Sequence, residues 1–428
     1  MRRFSSTIWR RTGLDRHISD TQTRQQPLKK RPATATVLFL FILSAAVFIS
    51  ASWINLSSFY VTNVTEKAII ISQENRRSAM RVEIPLNCSA GNMTQTCPVN
   101  YPTSFETEDR DPSLNSTCPD YFRWIHEDLR PFKSTGITRD MVERAMRTAH
   151  FRVVIVKGRV YVEKYKKSIQ TRDVFTFRGI LQLLRRYPGR LPDLEMMFDC
   201  DDRPVIRSRD YRGPNATAPP PLFRYCGDRW NLDIVFPDWS FWGWAEINIK
   251  PWNSILKELK EGNGRQKWME RGPYAYWKGN PLVAETRKDL LKCNVSGEQD
   301  WNARLFVQAQ AIGKAASDFI QEELKMEYVY DYMFHLFNEY AKLLKLEAKV
   351  PEGAVEFCSE TMACPANGIE KRLMMESLVK GSSITSPCTM PPPYDPRALG
   401  AFVKRKANSI KQVETWERRY WDSLDKQE

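Results

Sequence analysis

Histidine is scarce in this chain, four residues in 428, and no Cys-x-x-Cys pair occurs anywhere in it. A structural zinc site needs those ligands at close spacing, so that class of protein is disfavoured. No internal repeat is visible, which sets repeat architectures aside. Long uncharged apolar runs are absent with one exception, the eighteen residues Val37–Ile54. Cysteine is missing from everything before residue 88, and the terminal Asp425-Lys426-Gln427-Glu428 is not an ER-retrieval signal.

The exception suggests a membrane anchor. Eighteen residues lie near the lower limit for a spanning helix and suit a thin, early secretory bilayer. The run is long for a cleaved signal peptide and begins late, so an anchor is the expectation. Nine Lys or Arg precede it against Asp15 and Asp20, which orients the N-terminus to the cytosol and the rest to the lumen. That tail supplies +7 of the formal +13. The basic surplus is thus mostly a topology signal, and a nucleic-acid role loses its main support.

The nine cysteines (Cys88, Cys97, Cys118, Cys200, Cys226, Cys293, Cys358, Cys364 and Cys388) then all face an oxidising lumen. Cys358 and Cys364 are near enough in sequence to close a small loop, and an odd total leaves one thiol without a partner. Seven N-x-[ST] sequons start at Asn55, Asn63, Asn87, Asn92, Asn115, Asn215 and Asn294. Five of the seven crowd before Cys118, as a glycosylated stem would have them. The expected order is a basic tail (1–36), an anchor (37–54) and a stem (55–117), followed by the folded region and a C-terminal tail (391–428). A Golgi membrane is the expected address, with the ER as the alternative.

Beyond the stem, Phe151–Val156 and Arg159–Glu163 are β-branched runs split by Lys157-Gly158, the pattern of a hairpin. The periodicity predicts a helix over Val174–Tyr187, stopped by Pro188-Gly189. Leu194–Cys200 reads as a buried strand running straight into Asp201-Asp202, and Leu232–Phe236 as another. Ser254–Glu261 and Val283–Leu291 read as helices, and Met326–Lys345 as a long one with an apolar stripe. Helix, turn, strand and then polar groups at the strand's carboxyl end is the grammar of an α/β fold, which binds ligands at that end.

Three segments can carry chemistry. Asp199-Cys200-Asp201-Asp202 could hold a divalent metal against a nucleotide diphosphate, or one aspartate could deprotonate an acceptor hydroxyl. Tyr276-Trp277-Lys278-Gly279-Asn280, followed by Arg287, offers a glycine where backbone can approach a phosphate, with cations nearby. Asp233–Trp252 packs Trp239, Trp242, Trp244 and Trp252 into twenty residues. Such density suggests either a moulded sugar or peptide groove or an aromatic core plug.

These segments, LEMMFDCDDRP, YAYWKGNPLVAETRKDLLKC and the tryptophan-rich stretch, resemble glycosyltransferase family 90, most closely its plant branch. The resemblance implies two Rossmann-like halves of the GT-B type. The acceptor side would span 118–265 and the donor side 266–390. It also implies metal-independent inverting transfer from a UDP-sugar, UDP-glucose or UDP-xylose, to a hydroxyl of a glycoprotein or cell-wall polysaccharide. Asp202 matches the family's catalytic base. The residue before it is Asp201, where relatives have Arg. Lys278, Gly279, Asn280 and Arg287 match the donor-binding positions, and Trp239, Trp242 and Trp244 fall in the acceptor-binding region. Asp238, Glu246 and His126 are further acceptor-side candidates. The family's Tyr-x-Ile-Tyr-x-Glu-Gly-x-Ala-Trp-Ser motif has no counterpart, and the chain joins its C-terminal helices within Asn302–Gln308. The second half is therefore expected to be incomplete and turnover impaired. The alternative is a non-catalytic lumenal protein that binds glycans or pairs with a full-length relative.

Overall fold

The computed structural model describes residues 83–88, 97–98, 116–213, 216–266, 282 and 314–424. The expected anchor Val37–Ile54, the helix Val283–Leu291 and the join at Asn302–Gln308 lie outside them. Among the described residues no helix is long and apolar enough to cross a membrane.

In chain order the elements are α1 (Trp124–Asp128), α2 (Arg139–Ala145), β1 (Phe151–Val156), β2 (Arg159–Lys164), α3 (Arg172–Arg186) and β3 (Leu194–Phe198). There follow β4 (Phe223–Arg224), β5 (Ile234–Val235), α4 (Trp252–Arg265), α5 (Met326–Ala341), β6 (Val355–Phe357), α6 (Ser359–Ala363), α7 (Gly368–Glu376) and α8 (Pro396–Leu424). The strands form one six-stranded sheet in the order β5-β4-β3-β1-β2-β6. The pairs β1–β2, β1–β3 and β2–β6 are antiparallel, while β3–β4 and β4–β5 are parallel. The described residues thus hold a single mixed sheet where two Rossmann-like sheets are expected. An antiparallel strand at its centre is foreign to the doubly wound pattern.

Local sequence accounts for the hairpin. Lys157 and Gly158 both take positive φ, 52° and 72°, the twist a two-residue connection requires. Strands β1 and β3 are apolar almost throughout and buried on both faces. One face carries a run of rings from helix to helix: Phe177 against Phe151 at 4.6 Å, Phe151 on Phe198, Phe198 on Phe223 and Phe223 against Tyr340. Side chains alternate along a strand, so Arg152 and Glu195 project to the other face. There Arg139 of α2 reaches Glu195 at 2.7 Å, and Arg152 Nε lies 3.4 Å from the same carboxylate.

Three disulfides tie the start of the described region to its end: Cys88–Cys364, Cys97–Cys358 and Cys118–Cys388. Cys358 and Cys364, neighbours in sequence, are therefore not each other's partners. Helix α6 stands between these two cysteines, and six residues of helix separate Cα atoms by roughly 9 Å, beyond the reach of a disulfide. Glu83 and Ile84 also join the fold, Ile84 N–H donating to the Lys380 carbonyl at 2.9 Å. Some residues expected in a free stem are thus built into the folded region. The tail expected to be partly helical is one helix, α8, with Phe402, Val403, Ile410, Val413 and Trp416 exposed.

Candidate active site

The register brings the start of β1 and the ends of β2, β3, β4 and β5 to one edge of the sheet. His150 precedes β1, Asp199–Asp202 follow β3, and Arg224 closes β4. The first turn of α3 adds Arg172, and the turn after β5 adds Trp239.

Asp199 and Asp202 meet opposite environments. Asp199 is buried, and its Oδ1 accepts from Arg224 Nη2 at 2.6 Å and from the Asp201 N–H at 2.9 Å. Arg224 is itself buried and lies 3.8 Å from Asp233, which accepts the N–H groups of Val205 and Ile206. Burial pushes the Asp233 carboxyl above the ordinary carboxylate range, against those hydrogen bonds and Arg224. This cluster holds the sheet end in shape. Asp202, by contrast, has a side chain 72% exposed, and its Oδ1 accepts from Arg172 Nη1 at 2.7 Å.

Arg172 is the part of the site that the sequence alone does not point to. The same Nη1 donates to the Cys200 carbonyl at 2.8 Å, and the guanidinium lies 4.4 Å from the Trp239 ring centre and 6.0 Å from that of Trp244. Trp239 and Trp244 meet edge to face at 5.2 Å. The two rings form a wall behind the arginine, and their buried N–H groups have no acceptor among the described residues. The family resemblance implies an Arg directly before Asp202, the expected base. Here Asp201 stands there, and a guanidinium reaches the carboxylate from α3. The available signal was a basic residue in the first turn of a helix ending at the sheet edge.

The other expected residues divide. Trp242 is corrected as a groove residue: it is fully buried, its N–H donates to Tyr330 OH at 3.1 Å, and its ring fills the space over Gly179. Asp238 caps the short helical turn Trp239–Phe241 by accepting the Ser240 N–H, and Glu246 accepts from Thr171 Oγ1 at 2.8 Å. His126 sits 3.1 Å from the Pro391 carbonyl, tied to the C-terminal segment. Lys278, Gly279, Asn280 and Arg287 lie outside the described residues.

Among the described residues, two clusters have ligand-type atoms within 4.8 Å of one another: His150, Asp199 and Asp201, and Cys118, His335 and Cys388. The second contains a disulfide, which removes both thiolates. In the first, Arg224 already compensates Asp199, and His150 Nδ1 lies 3.2 Å from the Cys200 N–H, so the set fits a cation poorly. The Cys200 thiol, buried beside Tyr225, is pushed up to about 11 and is no nucleophile at neutral pH.

The profile described as Glycosyl transferase family 90 matches residues 113–310 and again 306–417. Protein O-glucosyltransferase 1 of Bos taurus and that of Homo sapiens are each 26% identical over 249 residues, 53% of this chain and 58% of theirs. O-glucosyltransferase rumi of Drosophila melanogaster is 22% identical over 239 residues, 51% of this chain and 54% of its own length. The chain thus spans about half the length of the curated relatives it matches. With most of its folded region under the family profile, this chain belongs to glycosyltransferase family 90.

Proposed function

We propose that the chain is built on the acceptor side of an inverting O-glycosyltransferase, with Asp202 as the base. The carrying observation is the contrast at the end of β3: Asp199 is buried and neutralised, while Asp202 is exposed and held by Arg172 at 2.7 Å. An exposed carboxylate fixed by one guanidinium can take a proton from an approaching hydroxyl as that oxygen attacks the sugar's anomeric carbon. The donor would be UDP-glucose or UDP-xylose, the acceptor a glycoprotein or polysaccharide, and the setting a Golgi membrane with this region lumenal. Lys278 and Arg287 would offset charge on the departing UDP. No metal is assigned to the step.

The test is sugar transfer from UDP-glucose and UDP-xylose by the purified chain and by its Asp202→Asn variant. Transfer that disappears with Asp202→Asn supports the base; transfer that persists undiminished removes it.

A second reading has its own support. The family match falls in two pieces that meet at 306–310, close to the expected join at 302–308. A chain short of donor-binding structure would be a lumenal glycan-binding protein, or would pair with a full-length relative. Calorimetry with UDP-sugar separates the two: a catalyst binds it, and a pure acceptor-binding module does not.

A further inference from the structure

Where the chain passes from β2 to α3, a cavity of about 410 Å³ opens at the same sheet edge. Lys164, Lys166, Lys167, Ser168, Gln170 and Asp173 line it, and its size suits a small-molecule site. The lysines are not equivalent. Lys164 Nζ is paired with Asp173 at 2.8 Å and lies 5.2 Å from the Phe177 ring centre, so its charge is compensated. Lys166 Nζ donates to the carbonyls of Arg147 and Thr148 at 3.0 and 3.2 Å, which fixes it without neutralising it. Lys167 forms no ion pair among the described residues. Two uncompensated cations therefore border one cavity, with a hydroxyl and an amide beside them.

The cavity lies beside the strand end that leads to Asp202, since the N–H groups of Tyr165 and Lys166 donate to the His150 carbonyl and His150 Nδ1 accepts the Cys200 N–H. Ser168 hydrogen-bonds the Cys200 thiol, and Arg172, which holds Asp202, follows within the same segment. We propose that this cavity is an acceptor subsite for a carboxylate-bearing sugar, so that the acceptor is an acidic glycan. The proposal rests on the reading of this edge as the acceptor side. Ammonium groups form short, strong bonds to carboxylates, while Asp173, Ser168 and Gln170 suit the hydroxyls of the same sugar. Asp173 is held by Lys164 and by the Val174 N–H, so it carries no net repulsion and its remaining lone pairs can accept from sugar hydroxyls; competition by UDP separates an acceptor here from a donor.

The test is calorimetric titration of the full chain in detergent with a uronic-acid tetrasaccharide and with its carboxyl-reduced, neutral counterpart. The acidic form should bind about ten-fold more tightly, an advantage that added salt diminishes. Lys167→Gln, at an exposed position, should remove most of that advantage, and adding Lys166→Gln the rest. Equal binding of the two sugars overturns the proposal, as does an advantage untouched by both substitutions. Inorganic sulfate binding as tightly as the tetrasaccharide would make this a free-anion site and overturn it too. Competition by UDP against the acidic sugar on the native chain would also overturn it, since the cavity would then be the donor's. Binding is read without turnover, so failure of the Asp202 transfer test leaves these outcomes separately legible.

Discussion

Two aspartates three positions apart at the end of β3 are used in opposite ways, and their partners decide which. Asp199 shares Arg224 with Asp233, all three buried. Replacing Arg224 by Met would leave two carboxyls in the interior without their cation, a loss of about 3–5 kcal/mol. Chemical denaturation at pH 7 should show it, and lowering the pH should recover part of it as the carboxyls protonate. Arg172 answers to a different measurement. Arg172→Ala should cost about 1–3 kcal/mol of stability, because the Cys200 carbonyl and the Trp239 face lose their partner, and should reduce any transfer activity about ten- to hundred-fold, with Arg172→Lys recovering part of both. A third residue gives a pH signature. The partly buried Asp128 carboxyl, desolvated although it accepts the Val235 N–H, is pushed up to about 7 from an unfolded value near 3.8. Between those values the folded state binds more protons than the unfolded one, so stability is greatest below the lower value and falls as pH rises to 7. Asp128→Asn should flatten that slope, removing a difference on the order of 2 kcal/mol once partial exposure is allowed for, as thermal melts at pH 4 and pH 7 would show. The place of Asp202 at the acidic end of a strand was legible in sequence because strand and acidic end are contiguous. His150, Arg172 and Arg224 were not, because their meeting with it depends on sheet pairing.

Helix α3 carries the most demanding packing of any element. Its predicted extent, Val174–Tyr187, is close to the observed Arg172–Arg186, since apolar spacing marks such a helix well. The spacing could not show that Arg178 and Arg185 are fully buried and bind the backbone carbonyls of Met374, Val379 and Ile84. Gly179 is the most constrained position: a Cβ there would come within 2.6 Å of the Trp242 ring. Gly179→Ala should therefore destabilise by about 1–3 kcal/mol despite the better helix propensity of alanine, and Trp242 fluorescence should shift with it. Of the short strands, β5 falls inside the expected Leu232–Phe236, but β4 and β6 were not legible in the sequence. β4 is two residues beside a proline-rich loop, and β6 is an exposed edge strand whose existence follows from β2 rather than from its own pattern. Strand β3, buried on both sides and bounded by Pro and Asp, was plain.

For the molecule as a whole, the bridges matter more than any single contact. Each closes 261–276 residues, and the first such loop closed stabilises by about 5 kcal/mol on the chain-entropy model. Once one bridge exists, the others close only short additional loops, so each alone contributes less. Replacing Cys97 and Cys358 together by Ser should lower the melting temperature modestly, whereas full reduction should unfold the protein at moderate temperature. Scanning calorimetry with and without reductant would test this. The composition and the apolar run gave an oxidising compartment as the expectation, and the disulfides fit it. Their pairing was illegible because it joins cysteines 261–276 residues apart, while Cys358 and Cys364, close in sequence, are held apart by α6.

That long reach has a consequence for how the protein is made. Cys88, Cys97 and Cys118 leave the ribosome some 260 residues before their partners, an interval of roughly 15–50 s at ordinary rates of synthesis. For the later part of it they are exposed together with Cys200 and Cys226, whose thiols lose reactivity only when the sheet edge buries or shields them. Wrong pairs formed early must be reopened before the last hundred residues can dock. The yield of native protein should therefore depend on a disulfide-exchange catalyst more than on the intrinsic speed of folding.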